Sequence, residues 1–407
     1  METTKKYELT DSAIEFNGST LYQIKALKDF SNVKAGDLGG WIEKEENLSQ
    51  IGNAWIGGDA KVCKNAKVFG YAQVYGDAIV SDNAEVFGNA KVFGDAWVFG
   101  KSKVCGNAEI HRNANVYGNA KICGDAEVYD NARVYGNAIL YGNTLVCGST
   151  NIYGNAWVYG KSMVYGDAQV YGCARVFGNA IVFVNAKVYG FAEICGHARV
   201  YGNARVYGYA FVSGDAIIYG NANVYDNAWV YGKSKVYGNA RIYDNAWVYG
   251  KSNVFGNARI CNNAKVCGDA RVHNHAMVGD NASVFDNARV YGNARIYGNA
   301  NVCGNVYIYG NALVYGDAKV FGNAEVFGEV EICGNAVVCD DADYIVFKNF
   351  WSSKRYFTWT RSNNMWSVGC FYGTGKKLIE KAYRDSAKSG KEYEKIVRYV
   401  DSILADE

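Results

Sequence analysis

Residues 198–225 read ARVYGNARVYGYAFVSGDAIIYGNANVY. Ala stands at 198, 204, 210, 216 and 222, and Val or Ile stands two places later each time. Followed outward, the register runs without insertion or deletion from Ala54 to Ala342, 49 hexads in all. The marked column is Ala 41 times and otherwise Ser102, Thr144, Thr150, Ser162, Ser234, Ser252, Val306 or Val330. The column two places on is Val, Ile or Leu 48 times and departs only at Tyr344. Residues two apart in an extended segment point the same way. The residue between the two columns is often charged, as at Lys61, Glu85, Arg133 and Arg205. That side therefore faces water, and the Ala and Val columns face inward. The remaining two places are mostly Gly followed by Asn or Asp, residues that turn corners at little cost. Each hexad is thus a short strand and a corner.

Such units bury their apolar columns only by stacking. The resulting β-helix also accounts for 47 Gly and no Pro in 407 residues, since each strand must give its N–H groups to a neighbouring coil. The pattern resembles the left-handed parallel β-helix of hexapeptide-repeat proteins, whose coil is a triangle of three hexads. The resemblance implies about sixteen triangular coils, a prism roughly 75–80 Å long at ~4.8 Å per coil. The left hand comes from that family and runs against the usual right-handed crossover. The expected fold class is an all-β solenoid with a small C-terminal α+β unit.

Three regions follow. Residues 1–50 break the period and read as an N-terminal cap with strands. Residues 51–342 are the β-helix. Residues 343–407 form a C-terminal α+β domain, with strands in YIVFKNF, RYFTWTR and MWSVGCFY and helices over 376–387 and 392–405, parted by Gly390. Gly373-Thr374-Gly375-Lys376 lacks phosphate-loop spacing and reads as a strand-to-helix turn. The first region together with the repeat resembles the YdcK-type hexapeptide proteins of bacteria, to which transferase activity is assigned by analogy. The C-terminal unit resembles proteins of phages and other mobile elements. Net charge +2 excludes a strongly basic or acidic tail. No apolar run reaches membrane-helix length, and METTKKYELTDS has no apolar leader core. The expected location is the bacterial cytoplasm.

Sorting outward residues by eighteens assigns them to three faces. The column after Val holds 22 Tyr and 10 Phe, ladders that stack along a sheet and stabilise it. A basic face carries consecutive Tyr from Tyr117 to Tyr243 beside Arg133, Lys187, Arg205, Arg241 and Arg259. With Tyr189, Tyr207 and Tyr225 these residues are candidates for binding a polyanion or single-stranded nucleic acid. An indole face carries Trp157, Phe211, Trp229 and Trp247, flanked by Tyr231 and Tyr249. An outward apolar patch of this kind marks an interface with a protein partner or a second copy. A third face is mixed.

Ten of twelve Cys replace a ring in the ladder column. Cys105 and Cys123 lie one coil apart and can meet, but free thiols are the expectation for a reducing compartment. Ligand spacing for a metal is missing. Of the four His, His111 and His273 fall in the ladder, and His197 and His275 in the corner column. The hexapeptide-repeat resemblance implies a His general base and coenzyme A as acyl donor; His275 is the best candidate base and His111 the second. Against it, no loop interrupts the coils to build a pocket, and no His has an acid–base partner by spacing. The leading reading is therefore a non-enzymatic binding or scaffold protein without catalytic residue, metal or cofactor. It engages a protein through the indole face and the C-terminal unit, one form being a phage-encoded protein that blocks a host factor. The alternatives are a coenzyme A acyltransferase and a polyanion binder.

Overall fold

A computed structural model describes residues 5–405; the first four residues of the expected cap and the last two of the C-terminal domain lie outside it. The chain divides into two compact units, Met1–Gly220 and Asn221–Glu407. Both are parallel β-solenoids, and the second also holds the C-terminal α+β unit.

Most hexad strands are two residues long, the outward residue and the inward Val, Ile or Leu. Pairing is strictly i to i+18, as in Lys187↔Arg205 and Val188↔Val206 of the first unit or Arg241↔Arg259 and Ile242↔Ile260 of the second. Each coil donates to the next, with Lys61 N–H on the Ala78 carbonyl at 2.9 Å and Cys63 N–H on the Val80 carbonyl at 3.1 Å. Ala204 and Val206 are fully buried. A buried Val side chain contributes about 1.5–3 kcal/mol, so the regular column supplies much of the driving force. Ser102, Thr150, Ser162, Ser234 and Ser252 in the Ala column are accommodated by donating to the carbonyl three residues back, for example Ser102 to Phe99 at 2.9 Å and Ser234 to Tyr231 at 2.9 Å, whereas Thr144 Oγ1 is buried without a partner.

The corner residue sits at positive φ, as at Gly76 (+72°). A Cβ there would also lie 2.9 Å from the Gly94 nitrogen of the next coil, so Gly is favoured twice. Asp82 occupies the same place at φ +61° and uses its carboxylate to accept from Gly100 N–H at 3.2 Å.

The N–H groups that flank each inward residue donate to the following coil, so for these bonds the two ends of the solenoid have opposite needs. The first coils have unpaired carbonyls, and the N-terminal segment brings donors to them. A hairpin of Tyr7–Phe16 and Ser19–Ala26 leads to Leu38–Ile42, which pairs in parallel with Lys61–Val62. Lys6, buried, donates its ammonium to the Ala54 carbonyl at 2.8 Å. Asn47 gives its amide to the carbonyls of Lys64 and Ala66 at 3.0 and 2.9 Å. Burial, assisted by the charge of Lys28, lowers the Lys6 pKa to about 8.

The last coil has unpaired N–H groups, and the C-terminal unit brings acceptors. Glu331 N–H donates to Thr358 Oγ1 at 3.1 Å, Val337 N–H to Ser362 Oγ at 2.7 Å and Glu325 N–H to Asp341 Oδ1 at 2.7 Å. The unit is a four-stranded antiparallel sheet with helices α1 (Gly375–Asp385) and α2 (Ala387–Ala405). Its core is Phe357, Trp359, Trp366, Leu378, Tyr393, Val397 and Val400. The segment MWSVGCFY makes two strands rather than one, because Gly369 turns at φ +58°. The helices part at Ser386 and not at Gly390. Gly390 lies inside α2, where a Cβ would stand 2.3 Å from the Tyr383 ring; it is a packing glycine. Thr374 caps α1, and Gly375 leaves room for Val397, so the GTGK segment is a strand-to-helix turn.

Candidate functional site

In the second unit, the corner between the third and basic faces carries an amide ladder. Asn239 donates to Asn257 Oδ1 at 3.1 Å, and Asn257 Nδ2 meets His275 Nε2 at 3.2 Å. Because the Asn257 oxygen already accepts, its NH2 faces the imidazole, and this contact suits an Nε2 that accepts. His275 is exposed. It lines an open groove of about 590 Å³ with Asn257, Asn293, Arg259, Met277 and Arg295. Arg259 and Arg295 stand on the strands that leave this corner, on either side of Met277. Neither guanidinium has an ion-pair partner among the described residues. Two unpaired cations, two coils (about 9–10 Å) apart, beside an exposed imidazole suit an anionic ligand with a reacting group at its centre.

The other histidines differ. His111 stacks between Phe93 and Tyr129 at 4.6 and 5.0 Å, and its side chain is 13% exposed. Its Nε2 lies 2.9 Å from Glu127 Oε1, an acid–base partner that spacing had not suggested. The same step of sixteen residues joins Tyr309 Oη to Glu325 Oε1 at 2.6 Å. It links a ladder residue to the outward residue of the next strand on that face, and so reads as a recurring structural bond. His273 is likewise stacked, between Phe255 and Tyr291 at 4.6 and 5.1 Å. His197 is an exposed corner residue. Of these, His275 is the one that lines the groove described above.

The basic row divides between the units. In the first, Lys187 and Arg205 are direct neighbours, and Arg133 neighbours Asn151. The rings Tyr135 to Tyr207 stack beside them, Tyr189 on Tyr207 at 4.8 Å. In the second, Arg241 neighbours Arg259, and Tyr225 stacks on Tyr243 at 5.1 Å. On the indole face, Trp157 (40% exposed) and Phe211 belong to the first unit, and Arg175 covers the Trp157 ring at 5.6 Å. In the second unit Trp229 and Trp247 are 42% and 37% exposed and stack at 5.4 Å. Tyr231 and Tyr249 stack beside them at 5.0 Å.

Cys105 and Cys123 form a disulfide, against the expectation of free thiols. Their Cα atoms are 4.7 Å apart, the coil spacing itself, which lies within disulfide range. Among the described residues no group of three or more His, Cys, Asp or Glu could hold a metal. No helix there is long and apolar enough to cross a membrane.

The family model of the YdcK β-solenoid repeat matches residues 72–86, 126–142, 193–208, 198–214, 234–250 and 288–306. These stretches are YdcK-type hexapeptide repeats. A curated relative of Escherichia coli K12, "Uncharacterized acetyltransferase YdcK", is 40% identical over 60 residues, 13% of this chain and 18% of that protein. The match thus spans under a fifth of the YdcK relative. A crystal structure from Desulfovibrio desulfuricans G20, described as a "putative acetyltransferase", is 12% identical with TM-score 0.20 over 67% of this chain and 66% of that one. Sequence reading places Arg259, Met277 and Arg295 in one outward column and His275 in the corner column, but does not join the two. The signal was present: residues at n, n+2 and n+20 of this register flank one corner. The partnership of His111 with Glu127 was legible only through the step of sixteen.

Proposed function

We propose that this chain is an acyltransferase that takes its acyl group from coenzyme A and uses His275 as general base. The carrying observation is the groove in which His275, its Nε2 facing the Asn257 amide, lies between two unpaired guanidiniums. The YdcK-type repeats support this reading over the scaffold reading that sequence alone had placed first. Arg259 and Arg295 would hold phosphate groups of the donor, Arg bonding well to phosphate oxygens. The Asn257 bond is neutral and long, so an acceptor hydroxyl or amine displaces it and donates to Nε2. As the acceptor attacks the thioester carbonyl, Nε2 takes its proton. The carbon–sulfur bond then breaks, and the leaving thiolate receives that proton from the imidazolium. The uninterrupted coils fit a shallow surface site rather than a looped pocket. The test is thiol release from acetyl-coenzyme A in the presence of amine- and hydroxyl-bearing acceptors. His275→Ala should lower turnover about 10²–10⁴-fold; wild-type chain without turnover on any acceptor class would refute the reading.

The stacked, exposed Trp229 and Trp247 favour a second reading, a protein contact through the indole face of the second unit. Solution mass decides between a second copy and none. Trp229→Ser with Trp247→Ser should convert an oligomer to monomer, and a wild-type chain already monomeric would remove self-association.

A further inference from the structure

The ring ladder of the third face begins at Tyr75, and above Tyr75 the series lacks one ring. Tyr75, Phe93, His111 and Tyr129 stack at 4.8, 4.6 and 5.0 Å with planes within 9° of parallel. The next place toward the N-terminus is Gly57. A Cβ there would find only ordinary contacts, Trp55 Cδ1 at 3.6 Å, Trp55 Nε1 at 3.7 Å and Tyr75 Cβ at 4.0 Å. The space it leaves is a concavity of about 440 Å³ bordered by Asn32, Trp55, Gln73, Tyr75 and the backbone of Gly57, Gly58 and Gly76. The other glycine in a ladder column behaves differently. Gly279 is buried, with Cys261 Sγ 3.3 Å and Met277 Cε 3.5 Å from the Cβ position, so its gap is filled from within.

We infer that the Gly57 slot binds a planar heteroaromatic ring, a nucleobase of a free nucleoside, stacked on Tyr75 where the ladder lacks a ring. The ladder itself defines the geometry: a flat ring one coil above Tyr75 continues a parallel series of aromatic planes, which a puckered pyranose, having no flat face, does not. The rim defines the chemistry. Asn32 and Gln73 offer amide donors and acceptors, and the Trp55 indole edge offers a donor beside the Gly57 position. No charged side chain borders the slot, so the recognised part is neutral. Stacking of one base on an aromatic side chain is worth about 1–3 kcal/mol.

Gly57→Phe is the discriminating variant. Gly57 does not sit at positive φ, so a side chain is allowed there, and a ring at 57 completes the ladder and occupies the slot. The full chain is titrated with adenosine, guanosine and, as a puckered control, glucose, read by ligand-observed NMR and by Trp fluorescence. Wild type should bind a nucleoside with Kd below about 1 mM and not glucose. Gly57→Phe should weaken this at least about tenfold while raising the melting temperature. Tyr75→Leu, which removes the platform, should weaken it comparably. Wild type that binds neither nucleoside, that prefers glucose, or that binds a nucleoside as tightly with Phe at 57 would overturn the inference.

Discussion

The coils between residues 64 and 193 and those between 241 and 295 have the same inward Ala and Val columns and differ in surface charge. In the first stretch, charges one coil apart form ion pairs: Lys64–Asp82 at 2.6 Å, Lys91–Glu109 at 2.9 Å, Lys103–Glu85 at 2.7 Å and Arg175–Glu193 at 3.1 Å, with Arg112 on Asp130 as well; these stand beside two like-charge neighbours, Lys103 against Lys121 and Glu109 against Glu127. In the second, neighbouring coils place Arg241 against Arg259 and Arg271 against Arg289. Like charges directly opposite on a sheet are destabilising. The same register that stacks an ion pair into a ladder stacks a repulsion, and the core tolerates either. Surface columns can thus vary at a cost small enough for the core to absorb. The second stretch carries unneutralised guanidiniums where the His275 groove lies, as an anion site requires.

The largest effect tests these inward columns. Val206→Asp in the first unit and Val278→Asp in the second each bury an unpaired charge, which costs several kcal/mol; both should fail to fold by circular dichroism. Arg205→Asp, one residue away and outward, should change stability by less than about 1 kcal/mol. Equal behaviour of Val206→Asp and Arg205→Asp would break the inside–outside frame on which the comparison stands.

Next come the two histidines. His111→Ala removes a stacked ring and leaves Glu127 alone, so its melting temperature should fall while acetyl transfer persists. His275→Ala should keep its melting temperature and lose transfer. A reversed pattern would move the site to the first unit.

Charge substitutions should carry opposite signs in the two stretches. Glu193→Gln deletes the partner of Arg175 and should cost about 0.2–1 kcal/mol, whereas Arg259→Gln relieves Arg241 and should gain a similar amount. Both effects should fade in high salt, as read from denaturant midpoints.

A backbone test is of comparable size. Val184 occupies the corner position at φ +60°, a strained place for a β-branched residue. Val184→Gly should be neutral or stabilising by about 1 kcal/mol. Gly190→Ala, at φ +72° with a Cβ 3.0 Å from the Gly208 nitrogen, should destabilise by about 1–2 kcal/mol.

The smallest difference concerns alkaline pH. Burial raises the pKa of ladder tyrosines in both stretches, Tyr153 and Tyr171 in the first and Tyr243, to about 12, in the second. A raised folded pKa means that the unfolded chain ionises first. The ladder's contribution is therefore complete below pH ~10 and declines as pH rises toward the folded values. Phenolate absorbance should lag in the native protein, and melting temperature should fall above that pH with no contrast between the stretches.

The fold was legible because parity and the six-residue step act on every coil alike. Inward Val206 and outward Arg205 needed no tertiary information. What escaped depends on neighbours outside the column. Lys6 and Asn47 meet the first carbonyls, and Thr358 and Ser362 the last N–H groups, through segments with no period to read. Gly390 looked like a helix break because its neighbour, the Tyr383 ring, is set by helix packing. The Cys105–Cys123 bond was judged by compartment, although the column itself sets the two residues at bonding distance. For the candidate site, His275 and the Arg column were visible one at a time. Their meeting at one corner, and the direction of the amide ladder that orients Nε2, belong to the folded coil.

The central claim is that the His275 groove takes an anionic acyl donor, and calorimetric titration with acetyl-coenzyme A tests it directly. Wild type should bind with an affinity that weakens as salt rises, and Arg259→Gln combined with Arg295→Gln should abolish binding while the fold stays intact. No heat of binding at low salt, or the same affinity in the double variant, would contradict it.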